Sequence, residues 1–471
     1  MLIKTDKSII QSYLEDSSNI SGGYAECVAF PENTEEAAEF IKDCNNKKIP
    51  ITIAGAGYGT VGGRIPFGGT VLSTEKMNKI IEINDDYARV QSGVSLDALN
   101  KELDHRARWY PVDPTEYNAT LGGNCATNAS GARSLKYGPT RNYVNALKVI
   151  LATGEILDIK RGEKAPQDIL PSYIMPKVKN AAGYYTHDNM DLIDLFIGQE
   201  GTLGFIAEIE LKLLLKPKDI SGGLAFFKTF NDAWDFVREA KKELKPLSLE
   251  YLDKRALGLA AEKFPNLPRP TDQAIMFETE GALLDEYVEL LGKCGALVDD
   301  TFLAQSKQEK LLLKEWRHAI PLAISDILKQ RKVIKVSTDF ALPDDKFLDF
   351  VNFSRELLNK EKFEYLIFGH IGSCHLHINI LLKEEREMEK AKPVYLQMMK
   401  KVISSGGTIS AEHGIGKLKC EYLKLMYGEE GISEMRALKK HFDPNFILGR
   451  DNIFSPRSCY SPGRLITVPG V

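Results

Sequence analysis

The seven cysteines of this 471-residue chain never fall into a CxxC pair or an iron–sulfur run. Cys27, Cys44, Cys125, Cys294, Cys374, Cys420 and Cys459 are scattered, so they read as reduced thiols and exclude a resident iron–sulfur cluster. No stretch approaches about 18 uninterrupted apolar residues, which excludes a transmembrane segment. The N-terminal MLIKTDKSIIQSYLEDSS also lacks the roughly 7 to 15 residue apolar core of a secretory signal. A cytoplasmic protein is expected, with attachment to the inner face of a membrane as the alternative. A basic surplus is missing too: the formal net charge is -4, which gives no electrostatic footprint for nucleic acid. Internal repeats and low-complexity tracts are absent. What the chain does have is 43% hydrophobic and 27% charged residues, the make-up of an ordinary globular protein with a sizeable core.

Along the chain, EEAAEFIKDCNNKK from Thr34 reads as an amphipathic helix ending in basic residues, followed by a short apolar strand, Ile49 to Ile53, that enters a glycine cluster. Alternating strands (TVLS, IIEIND, YARVQSG) come next, then a helix capped by Ser95 and further strands such as ALKVILATGEILDI. LKPKDISGG, Leu215 to Gly223, reads as a linker. Beyond it, strands such as GGLAFF and DQAIMFETEG alternate with long charged helices, as expected of helices packed on an antiparallel sheet. The predicted fold class is α+β, with one unit over 1–215, a second over 216–430, and a segment 431–471 that packs back on the first. The last residues, Ser455 to Val471, are read as an ordered arm or a tail.

Three loops are rich in glycine: Ala54 to Gly63 (AGAGYGTVGG), Leu121 to Gly131 (LGGNCATNASG) and Phe196 to Gly204 (FIGQEGTLG). Such runs free the backbone to turn tightly and aim several N–H groups at one spot, which suits a pyrophosphate. A single run is equally the mark of a plain loop. A nicotinamide-type loop is disfavoured because Arg64-Ile65-Pro66 continues as loop where a helix should open. A nucleoside triphosphate loop lacks its Gly-Lys-Ser/Thr. Three such loops in one unit, each glycine costing backbone entropy on ordering, are better explained by a long flat ligand approached from several sides.

In order, AGAGYGTVGG, YPVDPTEYNATLGGNCATNASGARSLKYGPTRNYV and FIGQEGTLGFIAEIELKL closely resemble the FAD-binding domain of the vanillyl-alcohol oxidase and p-cresol methylhydroxylase superfamily. The C-terminal half resembles its branch of glycolate oxidase subunits, D-lactate dehydrogenases and D-2-hydroxyglutarate dehydrogenases. The resemblance implies a two-part FAD-binding domain of that type and a substrate (cap) domain. It also implies FAD contacts from Gly55, Ala56, Gly57, Tyr58, Gly59, Thr60 and Gly62 in the first loop. Pro114, Thr120, Gly122, Gly123, Asn128, Gly131 and Ser134 would follow around the second, and Gly201, Gly204 and Ile206 at the third. Some relatives tether the flavin to histidine or cysteine. Here His105 and His187 lie outside the loops and Cys125 reads as a small packing residue, so non-covalent FAD is expected.

Half of the eight histidines fall in two stretches, His370, His375 and His377 in FGHIGSCHLHINILL and His413 in ISAEHGIGK. YLIFGH and HLHINILL read as strands joined by a turn, which puts His375, His377 and Asn379 on one face. The isolated His105, His187, His318 and His441 read as surface or structural residues. Imidazole and carboxylate groups together suit zinc, manganese or iron, with a position left open at a catalytic site. The family's metal motif, GHxGDGNxH followed later by EHG, maps onto Gly369 to His377 and onto Glu412 to Gly414. By resemblance, then, His370, His377 and Glu412 are the metal ligands, zinc the first choice and manganese or iron the alternatives. His413 would be the general base and Asn379 a substrate contact. Ser373, Cys374 and His375 depart from the motif, and His375 is either an additional ligand or a polar wall residue.

A substrate carboxylate calls for a cation, and arginine's planar fork fits it. Arg317 aligns with the family arginine in that role. The family lysine before Asp339-Phe340-Ala341-Leu342-Pro343 is replaced by Ser337, and Lys335 lies two residues earlier on the same strand face. Lys177 to Asn180 and the following Ala181 to Tyr184 resemble a family loop near the substrate. The implied activity is that of an FAD-linked 2-hydroxy-acid dehydrogenase or oxidase acting on a small D-2-hydroxy acid. A quinone, an electron-transfer flavoprotein or an iron–sulfur subunit would be its electron acceptor, and a homodimer a possible assembly. Set against this stand a flavin subunit of a larger electron-transfer complex and, further off, an enzyme like alkyl-glycerone-phosphate synthase.

Overall fold

The first helix signal becomes half of a parallel βαβ unit in a computed structural model that describes residues 1–281 and 284–454. Cys459 and the stretch Ser455 to Val471 lie outside the described residues. Helix Thr34–Lys47 begins where the Asn33 side chain accepts from Glu36 N–H, satisfying one of the free donors of its first turn. It buries Ala37, Ala38, Ile41 and Cys44. Strands Cys27–Phe30 and Ile51–Ala54 flank it in sequence, and each pairs in parallel with Thr70–Ser73. Leu2–Lys4 adds an antiparallel edge.

A five-stranded antiparallel sheet follows, ordered Ile80–Ile83, Tyr87–Gln91, Phe205–Lys212, Val144–Ile150, Ile156–Lys160. The third glycine loop runs straight into its central strand. The second loop is not all loop: Leu121–Ala126 is a short helix whose first turn is capped by Thr120, the hydroxyl accepting from Gly123 N–H. Gly122 sits in that helix because any side chain there would strike Ser92, 2.5 Å from its Cβ.

The second half is built on an eight-stranded sheet. Its strand order is Phe302–Ala304, Ile220–Phe227, Gln273–Glu280, Ser248–Asp253, Tyr365–Gly369, His375–Ile380 and Val336–Ser337, with Phe340–Ala341 also pairing onto His375–Ile380. Strand alternation sends neighbouring side chains to opposite faces. Phe227 and Phe277 join helices Phe230–Glu243 and Leu284–Lys293 in one core, while Phe226 and Met276 join Lys254–Lys263 and Lys307–Arg331 in another.

One boundary differs from the sequence reading. The expected linker, Leu215 to Gly223, is shorter, because the strand begins at Ile220. Its glycines are there for close packing: a Cβ on Gly222 would lie 2.4 Å from the Phe277 carbonyl oxygen.

Helix Cys420–Phe442 spans the 430/431 division and turns at a non-helical Gly428. After it, the chain lies alongside Ile51, which donates to Ile447 O and accepts from Gly449 N–H.

Candidate functional site

The pairing of Tyr365–Gly369 with His375–Ile380, through a turn in which Cys374 takes a left-handed conformation, brings three imidazoles together. All six residues of His375–Ile380 are buried, so the polar face of that strand lines an interior site. Ring centroids are 5.3 Å apart for His370 and His375, 4.6 Å for His375 and His377, and 5.8 Å for His370 and His377.

The carboxylate arrives from the loop that follows Ser410. Asp339 holds that loop: its Oδ1 accepts from Glu412 N–H at 3.2 Å, and its Oδ2 from His413 N–H at 3.0 Å, Ser410 Oγ at 2.7 Å and Lys419 Nζ at 2.8 Å. Burial alone would favour the neutral acid. His413 and Lys419 overcome it and hold Asp339 ionised, well below the usual carboxylate range. Thus fixed, Glu412 places Oε2 3.4 Å from His370 Nε2 and Oε1 3.3 Å from His377 Nε2.

Each of those two rings is backed by an acceptor on its other nitrogen. His370 Nδ1 lies 2.6 Å from Glu250 Oε1, and His377 Nδ1 lies 3.2 Å from the Thr338 carbonyl oxygen. Those partners place a proton on Nδ1 in both rings and leave Nε2, which faces Glu412, as the nitrogen available to a cation. Glu250 is buried; burial would raise it, but Arg317 and His370 pull it down to about 2.

Donor atoms of His370, His375, His377 and Glu412 all lie within 4.8 Å of one another, as do those of Asp339, His377, Glu412 and His413. Imidazoles with backed outer nitrogens around one carboxylate fit a divalent cation.

Next to this cluster, His413 stacks on His377 with centroids 5.4 Å apart. Its Nδ1 is 3.4 Å from Asp339 Oδ2 and its Nε2 3.6 Å from Glu412 Oε1. Desolvation in the cleft lowers its pKa to about 4 in spite of those carboxylates. Arg317 is not free: its Nε donates to Glu250 Oε2 at 3.1 Å, and the charges of Asp113 and Glu278 also act on it. Asn379 donates from Nδ2 to the His377 carbonyl at 3.1 Å, and its buried Oδ1 has no partner. Lys335 stays accessible to solvent although it sits deep among protein atoms; desolvation lowers its pKa while Asp339 and Glu412 act to raise it.

Three residues of this arrangement had no role in the sequence reading. Lys179 Nζ donates to Glu412 Oε2 at 2.5 Å and lies 3.3 Å from His375 Nδ1. Its only signal was membership of the Lys177 to Asn180 stretch. Glu250 and Asp339 carried none of their own, because sheet pairing brings them in. A cleft of about 1170 Å³ opens onto Lys179, Ser130 and Ala411, large enough for a small molecule beside a cofactor.

The glycine loops meet at the same place. Gly198 and Glu200 of the third donate to Cys125 O and Ala126 O of the second, at 3.0 and 2.8 Å, and a Cβ on Gly55 would lie 2.6 Å from Thr120 Oγ1. In the first loop Gly57 has φ +88°, and the Arg64 guanidinium fills the space beside it, donating to Gly55 O at 3.0 Å. Lys417 Nζ reaches Gly62 O and Gly63 O, so two cations flank the loop expected to hold a pyrophosphate. Beside Gly59 a Cβ would meet nothing within 4 Å, leaving the loop open there, whereas Ala56, Tyr58 and Thr60 alternate with these glycines along the turn.

Around the second loop, Gly131 packs on Asp113 and Pro114. Its N–H donates to Ser134 Oγ at 2.8 Å, and Asn128 Oδ1 accepts from Arg141 N–H at 3.0 Å. Gly201 lies against Ile53, and Gly204 against Val149, the register partner of Ile206. Ser92 Oγ and Asn124 Nδ2 are buried without a partner, polar atoms suited to a bound cofactor. Ser130 Oγ donates to Glu412 Oε2 at 3.2 Å, so these loops adjoin the histidine cluster. Cys125 is fully buried and its thiol is pushed up to about 12 by burial, as suits a packing residue. His105 and His187 are exposed.

Comparisons with known proteins agree with this geometry. Residues 25–160 match the FAD binding domain model, and residues 216–453 match that of the FAD linked oxidases, C-terminal domain. Glycolate oxidase subunit GlcD of Bacillus subtilis is 32% identical over 91% of this chain and 89% of its own length. A D-lactate dehydrogenase of Anaerostipes hadrus is 33% identical over 89% of this chain and 88% of its own.

Among solved structures, p-cresol methylhydroxylase superposes with a TM-score of 0.70 at 14% identity, covering 97% of this chain and 95% of that one. An alkyldihydroxyacetonephosphate synthase superposes at 0.69 with 17% identity, covering 95% and 81%. At those identities the two structures speak to the fold alone, which is of the p-cresol methylhydroxylase type. With an FAD binding domain in its first half, the C-terminal domain of the FAD linked oxidases over its second, and full-length relatives above 30% identity, the chain belongs to the FAD-linked oxidase family.

Proposed function

We propose that this protein oxidises a small D-2-hydroxy acid, of the D-lactate, glycolate or D-2-hydroxyglutarate class, to the 2-oxo acid, using non-covalent FAD and a divalent metal. The observation that carries the reading is the contact of Ser130, in the second glycine loop, with Glu412 inside a cluster of histidines. The names of the two relatives support the substrate class. The similarity to an alkyldihydroxyacetonephosphate synthase is one of fold, so it does not bring that chemistry with it.

FAD would supply the acceptor for the hydride leaving Cα, and the metal the charge that acidifies the substrate hydroxyl. His370, His377 and Glu412 would hold the metal. His413, held through Nδ1 by Asp339, presents Nε2 toward the same carboxylate and takes the hydroxyl proton there. Arg317, steadied by Glu250, offers its Nη fork to the substrate carboxylate, and Asn379 Oδ1 is an acceptor for a substrate donor. The cysteines are too scattered for an iron–sulfur relay in this chain, so the acceptor is a quinone, an electron-transfer flavoprotein or an iron–sulfur subunit. No helix among the described residues is long and apolar enough to cross a membrane.

Anaerobic mixing of the yellow protein with D- and L-2-hydroxy acids tests the reading. Bleaching of the flavin by one or more of these D-acids or glycolate, and not by the L-enantiomers, is the expected result. No bleaching by any of them would refute it.

A further inference from the structure

At one place in the histidine turn the chain differs in ligand chemistry from the related motif: His375 stands where that motif has asparagine. The imidazole is 0% exposed and lies in ring contact with both His370 and His377. The partners of its nitrogens show which one carries the lone pair. Nδ1 lies 3.3 Å from Lys179 Nζ, and an ammonium has protons to give but no lone pair, so Nδ1 faces it as an acceptor. Nε2 then carries the proton. It lies 3.1 Å from Asp339 Oδ1, off the line of a hydrogen bond, and has no other partner. A carboxylate behind one ring nitrogen and a lone pair on the other, shared here with Lys179, is the arrangement that supports a metal-ligating histidine. Nδ1 is 3.9 Å from Glu412 Oε2, and a ring nitrogen of His375 belongs to the set of donors within 4.8 Å of one another.

We propose that His375 is a third imidazole ligand, so that the chain binds its divalent metal through three histidines and Glu412. This rests on the metal reading of the cluster given above. Zinc held tetrahedrally by four protein donors is closed to substrate. A metal that also takes the oxygens of a 2-hydroxy acid must therefore accept five or six donors, the habit of Mn²⁺ and Fe²⁺.

The test uses the FAD-loaded full chain with Mn²⁺ and counts imidazole ligands by X-ray absorption, alongside chelator competition for affinity. Three imidazoles are expected in the wild type and two in His375→Asn. The variant should also bind Mn²⁺ more weakly, by at least the roughly 10- to 100-fold that loss of a supporting partner costs. Its flavin spectrum reports whether it has folded, and the wild-type count stands even if the variant does not fold. Two imidazoles in the wild type, or unchanged affinity in a folded variant, overturns the proposal while leaving a metal site in place. A wild-type protein that takes up neither Mn²⁺ nor Zn²⁺ overturns both readings.

Discussion

His413 faces Asp339 with one ring nitrogen and the cluster with the other, so its loss should touch proton transfer and little else. His413→Ala is expected to keep FAD and metal while flavin reduction by substrate slows by about 10² to 10⁴, the usual worth of a positioned base. Stopped-flow absorbance of the flavin measures it, and an unimpaired rate removes His413 from the mechanism. Glu250 acts through its neighbours, backing His370 and holding Arg317. Glu250→Gln should weaken metal binding by roughly 10- to 100-fold, read by chelator competition, with Glu250→Asp recovering part of it. His370, His377, Glu412 and His413 were legible in the sequence because they crowd into two short motifs. Glu250 was not: it reaches His370 only through the register that pairs Tyr251 with Gly369. Lys179 and Asp339 were hidden for the same reason, since their roles depend on segments far apart in the chain.

The segments that carry these residues are fastened by buried charge. Glu200, in the third glycine loop, accepts from Ile415 N–H at 2.8 Å and Gly416 N–H at 2.6 Å, tying the loop after Glu412 to the glycine loops. Burial raises its pKa to about 7. Between the ordinary carboxylate value and pH 7 the folded protein therefore holds a proton that the unfolded chain has released. Glu200 thus favours the folded state most at the acid end of that window, and its contribution is lost as pH rises toward 7. Urea midpoints at pH 5 and pH 7.5 should show this slope in the wild type and a flatter one in Glu200→Gln.

Helix Cys420–Phe442 is held differently. Buried Lys439 donates to Asp443 Oδ2 and Thr202 O, both at 2.7 Å, and to Leu448 O at 2.9 Å. Lys439→Met leaves Asp443 without its cation and should cost roughly 3–5 kcal/mol, measured by urea unfolding. At this scale the long helices and paired strands were readable from periodicity and from the Ser95 cap. Helix Leu121–Ala126 was not, because two glycines masked a turn that Thr120 caps and Ser92 forces to stay small. The strand start at Ile220 fell inside the expected linker, and Gly222 and Gly223 are packing residues there.

The two halves of the molecule meet where the site lies. Arg133 pairs with Glu278 at 2.9 Å, Ser130 reaches Glu412, and Lys314 donates to Tyr117 at 2.7 Å. A flavin held by the first half and a metal by the second would share that boundary, so each ligand should stabilise the folded chain by mass action. At a hundredfold excess over its Kd, FAD should add about 2.7 kcal/mol, seen as a higher melting temperature than that of the flavin-free protein. The two-part plan was legible from three glycine loops followed by a change of pattern. The cleft between the halves was not, since no local stretch encodes it.

In the proposed reaction, metal and flavin act on one substrate at this boundary. The most direct measurement is anaerobic flavin bleaching by the active 2-hydroxy acid, before chelation, after it, and after a divalent metal is restored. The chelated protein is expected to stay yellow with FAD bound, lose bleaching, and regain it with metal. Undiminished bleaching by a protein shown to be metal-free would contradict that expectation.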